Sequence, residues 1–337
     1  MRRDRKKEHI EYFLKSSYKN RTLFEDIYIE HNSLPELDLD EIDTKTEFLG
    51  KRVDFPIMIN AMTGGSEISW EINRYLSQIG RKYGIPMALG SQTIALRDKT
   101  SQASFKIVRD IIGEDGVVIA NLSGHASPEE AKYAIDMVNA DGIQIHLNPA
   151  QELVMEEGDR NFKGILKNIE KIVTSIEKPL IVKEVGFGIS KAVAEKLYNV
   201  GVRYIDVSGQ GGTNFIEIED RRNNKRDYRD LYSWGIPTAL SLIQCTSIGG
   251  DLKLISSGGI KNSLDILKSL VIGAHMVGIS GMLLRKLMEE GYEAADKYMG
   301  ELTLKLKILM LLTGSRRVEE LKRLPYKVKG ELKDLLE

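Results

Sequence analysis

The sequence predicts an α/β fold, a (β/α)8 TIM barrel with an N-terminal extension, and three observations carry that expectation. Short apolar, β-rich segments recur along the chain, each closing on Gly, Ser, Asn or Thr. Helical patterns fill the intervals between them, and the segments number eight. Strands that alternate with helices pair in parallel through right-handed crossovers, and eight is the number that closes a barrel. An open doubly wound sheet is the alternative, although it rarely repeats eight uniform units.

Taken in order, the segments are "FPIMINAMTGG" (55–65), "IPMALGSQ" (85–92), "GVVIANLSG" (116–124) and "GIQIHLN" (142–148). They continue with "PLIVKEVG" (179–186), "RYIDVSGQGG" (203–212), "LKLISSGG" (252–259) and "HMVGISG" (275–281). Helical spacing is clearest in "PEEAKYAIDMVNA" (128–140), "SKAVAEKLYNV" (190–200) and "NSLDILKSLVIG" (262–273). Residues 1–50 precede the first strand and read as an extension with some helix. Residues 51–337 form the barrel, whose last helix or helix pair and Lys-rich tail occupy 282–337. The connection after the sixth strand is far too long for a turn, and such loops are usually lids or binding loops. Its Tyr, Trp and Phe residues argue against disorder, so 210–236 is predicted to cover a site.

A chain of 337 residues holds a barrel of about 250 residues plus extras. Lys+Arg 48 against Asp+Glu 49 leaves a net charge of -1, which argues against a bulk nucleic-acid binder but allows a local phosphate-holding patch. The single Cys245 excludes an intrachain disulfide and a four-Cys zinc site, and fits a reducing cytoplasm. The leading "MRRDRKKEHIEYFLKS" lacks the apolar core of a signal peptide. No run approaches the roughly 18–20 apolar residues of a membrane span; "LKLKILMLL" is interrupted by Lys305 and Lys307. A soluble, cytoplasmic protein with no membrane or nucleic-acid partner is expected.

Barrel active sites lie at the C-terminal strand ends. Those ends here are Ala61-Met62-Thr63-Gly64-Gly65, Ser91-Gln92, Asn121, Lys183-Glu184, Ser208-Gly209, Gly258-Gly259 and Ser280-Gly281. Glycines that lead from a strand into a helix let backbone N–H groups and the helix dipole approach an anion. Barrel phosphate sites typically use the last two strands, so Gly258, Gly259, Ser280 and Gly281 are read as a phosphate site rather than as tight turns alone. Lys183 at a strand end would be costly to bury without an anion or an electron-rich ring beside it. Pairing with Glu184, or snorkelling to solvent, is the bland alternative. In "QIHLNPAQE" (144–152), Gln144, His146 and Asn148 alternate with apolar residues and point into the barrel, where they meet Gln151 and Glu152. So many polar groups in one short stretch read as the lip of a site.

These residues resemble the FMN-dependent type 2 isopentenyl-diphosphate Δ-isomerase family over essentially the whole chain. The resemblance rests on "RKKEHI" (5–10), "NAMTGG" (60–65), "GSQ" (90–92), "ANLSG" (120–124), "QIHLNPAQE" (144–152), "VKEVGFGIS" (182–190), "DVSGQGGTNF" (206–215) and "SSGGIKNSLDILK" (256–268). "SSGGI" alone recurs in many FMN barrels, whereas "RKKEHI", "QIHLNPAQE" and "SGQGGTNF" in that order are specific.

The resemblance implies flavin contacts at Ala61, Met62, Thr63, Gly64, Ser91, Asn121, Lys183, Ser208 and Thr213, with the flavin phosphate on Gly258, Gly259, Ser280 and Gly281. It implies that Arg5 and Lys6 grip a substrate diphosphate with His9 nearby, on an arm that can reach a neighbouring subunit. His146, Asn148 and Gln151 would line the substrate pocket, and Glu152 would hold a Mg²⁺ that also binds diphosphate. One carboxylate suffices there, because Mg²⁺ keeps several waters and phosphate oxygens. The implied reaction moves the double bond of isopentenyl diphosphate to give dimethylallyl diphosphate, with Gln151 and Lys183 as catalytic residues. NAD(P)H would reduce the flavin, and a homotetramer or homo-octamer is expected. The rivals are other FMN barrels and a non-catalytic phosphate-binding barrel. A hydroxy-acid oxidase needs a His–Arg pair at the late strand ends. A dehydrogenase acting on inosine monophosphate needs a nucleophilic Cys in the loop after the sixth strand, whereas Cys245 lies in the helix beyond that loop and reads as a packing residue. Neither requirement is met in the sequence.

Overall fold

The computed structural model describes residues 2–16, 20–223 and 225–337, with side chains from Lys6 onward. The chain opens with a helix, Arg2–Lys15, and a short strand, β1 (Ile27–Ile29); β2 (Thr46–Phe48) and β3 (Lys51–Val53) then form an antiparallel hairpin. Eight parallel strands follow: β4 (Ile57–Ile59), β5 (Met87–Ala88), β6 (Val118–Ser123), β7 (Gly142–His146), β8 (Leu180–Lys183), β9 (Tyr204–Asp206), β10 (Lys253–Ser256) and β11 (Met276–Ile279). Each pairs with the next, and β11 returns to β4 with Val277 opposite Ile57, closing the barrel. The predicted fold is the observed one. A last strand, β12 (Tyr326–Val328), pairs antiparallel with β1 outside the barrel and ties the C-terminal segment to the N-terminal extension.

Period-two alternation assigns the two faces of each strand. On β6, Val118, Ala120 and Leu122 join the large outer core under the helices, while Ile119 faces inward. The helices start where the sequence supplies caps. Ser66, Ser127, Ser190 and Asn262 each accept a hydrogen bond from the N–H three residues on.

The barrel interior is layered. Met58, Ala88, Ile119, Ile181, Ile255 and Met276 make an apolar layer, packed with Phe48, Leu49 and Val53 of the hairpin. One pleat further along, the inward positions turn polar, with Asn60, Asn121, Gln144, Lys183, Asp206 and Ser257 all buried. The hairpin therefore plugs the N-terminal end of the barrel, and it spans residue 50, so extension and barrel share a core. Phe48 is fully buried, edge-on to Tyr204. Phe48→Ala is expected to cost about 3–5 kcal/mol, read as a lower denaturant midpoint. Because the plug sits at the end away from the site, turnover should stay within about twofold once cofactor is saturating.

The 210–236 connection is not a bare loop. Its ends meet at a bridge between Gln210 and Pro237, and Phe215–Asn223 is helical. Asn214 starts that helix by accepting the N–H groups of Ile216 and Glu217. The alternation in "FIEIED" looks like a strand because both of its faces are buried here. Ile216 packs on Val154 and Phe187, while Glu217 and Glu219 have basic partners.

Candidate active site

A cavity of about 830 Å³ opens at the C-terminal ends of the barrel strands. Its wall brings together Lys6, His9, Ala61, Met62, Thr63, Ser91, Asn121, His146, Asn148, Gln151, Glu152, Lys183, Ser208, Thr213, Gly258, Gly259, Ser280 and Gly281. Gly64 stands behind the wall, where a Cβ would come within 2.0 Å of the Phe105 ring. Arg5 lies outside the described side chains.

One end of the cavity is built to admit an anion. Gly258 and Gly259 have φ of +98° and +75°, and a Cβ on Gly258 would meet the Gly209 carbonyl oxygen at 2.0 Å. Only glycine fits so close an approach of two backbones. The helix Gly281–Glu290 starts beside them, and the Ser280 side chain does not cap it, so its first N–H groups face the cavity uncapped. Uncapped N–H groups and the dipole favour a phosphate there.

The deep wall is polar and buried. Lys183 is 5% exposed, and its Nζ donates to the Glu184 carbonyl oxygen at 2.5 Å rather than to the Glu184 carboxylate. Burial lowers the Lys183 pKa, opposed by the charges of Asp206 and Glu184. The Glu184 carboxylate accepts the N–H groups of Val185, Gly186 and Phe187 at 2.6, 2.7 and 2.5 Å. Burial nevertheless pushes its pKa up to about 7. Burial, with Lys183 and Lys6 nearby, holds His146 down to about 3, so its ring is neutral at physiological pH.

The "NPAQE" turn is a short helix, Pro149–Val154, with Pro at its first position, where its missing N–H costs nothing. One helical turn sets Gln151 and Glu152 side by side. Asn148 Nδ2 donates to Gln151 Oε1 at 3.1 Å and to Glu152 Oε1 at 2.9 Å. Gln151 Nε2 donates to Glu219 Oε1 at 3.0 Å. Glu152 Oε2 accepts the Asp159 N–H. Among the described residues no three His, Cys, Asp or Glu side chains converge as a metal cluster. A cation at Glu152 would thus depend on ligand oxygens for the rest of its shell.

Glu219, on the helix Phe215–Asn223, was not picked out from the sequence, nor were Arg222, Asn60 and Asp206. Glu219 is fully buried; His9 Nε2 lies 2.8 Å from its Oε1, and Arg222 donates to its Oε2 at 2.6 Å. Arg222 also donates to Glu8 and Glu157, tying the N-terminal helix and the 155–160 segment to this helix. Burial alone would raise the Glu219 pKa, but donors from His9, Gln151 and Arg222 hold it at about 2. A carboxyl lowered on folding stabilises above its ordinary pKa, and that contribution is lost as pH falls towards the folded value. Glu219→Gln should therefore be less stable at pH 7 by on the order of 2–3 kcal/mol. The gap should narrow progressively below about pH 4.5, in denaturation midpoints taken from pH 7 to pH 3. A gap that stays constant with pH would show that Glu219 gains nothing from its charge.

The N-terminal helix lies along the cavity. Lys6 Nζ donates to the Ser91 carbonyl at 3.0 Å, and the Arg285 guanidinium donates to the carbonyls of Phe13 and Leu14 at the helix end. One sequence signal could have found the helix Phe215–Asn223: Asn214 followed by Glu217, a capping spacing.

Residues 112–326 match the sequence model of FMN-dependent dehydrogenases. A Bacillus licheniformis protein named isopentenyl-diphosphate delta-isomerase is 46% identical over 332 residues, covering 98% of this chain and 94% of its own. A protein of the same name from Geobacillus sp. is 43% identical, with 98% and 94% covered. Among solved structures, a mandelate oxidase with (S)-4-hydroxymandelic acid superposes with a TM-score of 0.68 at 16% identity, covering 95% of this chain and 94% of that one. A flavocytochrome b2 variant with benzoylformate gives a TM-score of 0.69 at 14% identity, with 95% and 82% covered. At such identities the likeness is one of fold.

Proposed function

This chain belongs to the isopentenyl-diphosphate delta-isomerase family, and we propose that it interconverts isopentenyl and dimethylallyl diphosphate by a 1,3-proton shift, with FMN bound in the cavity. The observation that carries the reading is one cavity whose wall has both a glycine cradle suited to a flavin phosphate and, from other elements, Lys6 suited to a diphosphate and Glu152 suited to a cation that accompanies it. The cradle fits the cofactor because Gly258 and Gly259 line it with bare backbone, a Cβ at either one colliding with the backbone of Gly209 or Gly211.

Gly258, Gly259, Ser280 and Gly281 would hold the cofactor phosphate. Ala61, Met62, Thr63, Gly64, Ser91, Asn121, Ser208 and Thr213 would frame the rest, Gly64 through its backbone. When bound and reduced by NAD(P)H, FMN supplies an electron-rich ring and an acid–base nitrogen. An unactivated alkene is a very weak base, and its protonation builds charge at a tertiary carbon. The walls must therefore offer no nucleophile. Lys183 would hold the reduced ring as its anion. Gln151 would orient the alkene and the proton to be removed, its own amide fixed by Glu219 on one side and Asn148 on the other.

The diphosphate must stay anchored, since its loss from the product would release an allylic cation. Arg5, Lys6 and His9 would grip it, with His146 and Asn148 lining the pocket. Glu152 would hold a Mg²⁺ that neutralises phosphate charge. A cytoplasmic homotetramer or homo-octamer is the assembly in which this arm would work.

The test is an anaerobic assay with FMN, Mg²⁺, a reductant and isopentenyl diphosphate, scoring dimethylallyl diphosphate. Product that depends on reduced flavin is expected. Bound flavin with no product would leave the barrel reading intact and overturn the reaction.

A further inference from the structure

Five buried or cavity-lining side chains form one hydrogen-bonded chain across the barrel interior. Asp206, at the end of β9, starts it: Oδ1 accepts Ser257 Oγ at 2.6 Å and the Ser208 N–H at 3.2 Å, and Oδ2 accepts Asn60 Nδ2 at 2.6 Å. Asn60 Oδ1 accepts the Ala61 N–H at 2.8 Å and Gln144 Nε2 at 3.1 Å. Gln144 Oε1 accepts Asn121 Nδ2 at 3.4 Å. Asn121 Oδ1 then stands 2.8 Å from His146 Nδ1.

The chain has a direction. Both oxygens of Asp206 accept, so the end of Asn60 that faces it must be the NH₂. A backbone N–H can only donate, so the end of Asn60 that faces Ala61 must be the carbonyl. Those two anchors agree. An amide has one donating and one accepting end, so the orientation of Asn60 dictates that of Gln144, and Gln144 dictates that of Asn121. Asn121 is left presenting its carbonyl to His146, whose Nδ1 must then carry the ring proton. The ring is neutral in its buried setting, between Lys183 and Lys6, which leaves Nε2 as a lone-pair acceptor. His146 lines the cavity, whereas Gln144 and Asp206 are fully buried.

We infer that Asp206 and Gln144 are positioning residues that set the tautomer of His146, holding it as the Nδ1–H form so that Nε2 accepts a hydrogen bond from an N–H or O–H group of the bound flavin. Which nitrogen carries the proton is set by the partner of the other one, and here that partner is fixed through three amides from a carboxylate on another strand.

The test is long-range ¹⁵N–¹H spectroscopy of the full chain labelled with ¹⁵N-histidine, with the His146 signals assigned by their loss in His146→Gln. In the unsubstituted protein, a protonated Nδ1 and an unprotonated Nε2 are expected. Gln144→Met cuts the chain in the middle, and Asp206→Asn removes its anchor at constant volume; either is expected to mix the two tautomers. A proton on Nε2 in the unsubstituted protein overturns the inference whether or not the variants fold. So does an unchanged pattern in both variants. A kinetic arm rests on the isomerase reading: kcat should fall by on the order of tenfold or more in Gln144→Met with KM little changed. The spectra do not rest on that reading. Shifted spectra with unchanged turnover would uphold the tautomer control while removing His146 from the isomerisation.

Discussion

Gln151→Ala is expected to lower kcat by about 10²-fold or more and to leave KM for isopentenyl diphosphate nearly unchanged, the size of effect lost when a group that holds the reacting atoms in place is removed. The geometry behind the expectation is local. Gln151 is 8% exposed and bonded at both ends, by Nε2 to Glu219 and by Oε1 to Asn148, so its amide cannot swing away or invert without breaking both contacts. Truncation removes the group and leaves the buried Glu219 without one of its donors. The residues proposed to grip diphosphate, on the N-terminal helix and at Glu152 beside Gln151, are left in place. Gln151→Glu separates the two effects. It keeps the shape but sets a carboxyl 3.0 Å from Glu219, and two carboxyls that close cannot both ionise readily. Its turnover should therefore depend on pH where that of Gln151→Ala does not. Anaerobic steady-state kinetics across pH measure both. A Gln151→Ala enzyme with raised KM and normal kcat would move Gln151 from the reacting atoms to simple binding.

The barrel was legible because its strands repeat one grammar, a few apolar residues ended by a small or polar one, and because the barrel needs eight of them. The cavity wall was legible for the same reason: the residues that end strands are the residues that line the mouth. What stayed hidden was the pairing of polar residues across the barrel. Asn60 in "PIMINAM", just past β4, and Asp206 in "RYIDVSG", the last residue of β9, are polar residues that close apolar runs, and nothing local says that they meet; only closing the sheet brings these two strand ends to within one hydrogen bond. Glu219 was hidden differently. It lies in a connection read as a covering loop, and "FIEIED" alternates as a strand would. Its partners, His9, Gln151 and Arg222, come from three separate elements. Sequence patterns report which face a side chain takes; they do not report which faces from distant segments converge.

Lys183→Met should move stability and activity in opposite directions. Burying an ammonium costs several kcal/mol unless its partners offset that, and burial depresses the Lys183 pKa here. Its hydrogen bond goes to a backbone carbonyl, while Asp206 nearby is already served by Ser257, Ser208 and Asn60. Removing the lysine therefore orphans no carboxylate, and a methionine of similar length fills the space. The free protein should be as stable as before or more so, whereas cutting one partner of a closed buried ion pair would cost about 3–5 kcal/mol. Activity should suffer, because Lys183 is proposed to hold the reduced flavin as its anion. Loss of one such preorganised charge costs on the order of 10²–10³ in kcat, and the potential of the bound flavin should fall as its anionic reduced form loses the cation beside it. Paired measurements of denaturation midpoint and flavin potential decide the matter. A variant that is destabilised with an unchanged potential would make Lys183 a structural residue of the barrel floor; a stable variant with a lowered potential would show that the cost of burying the charge is carried for the cofactor.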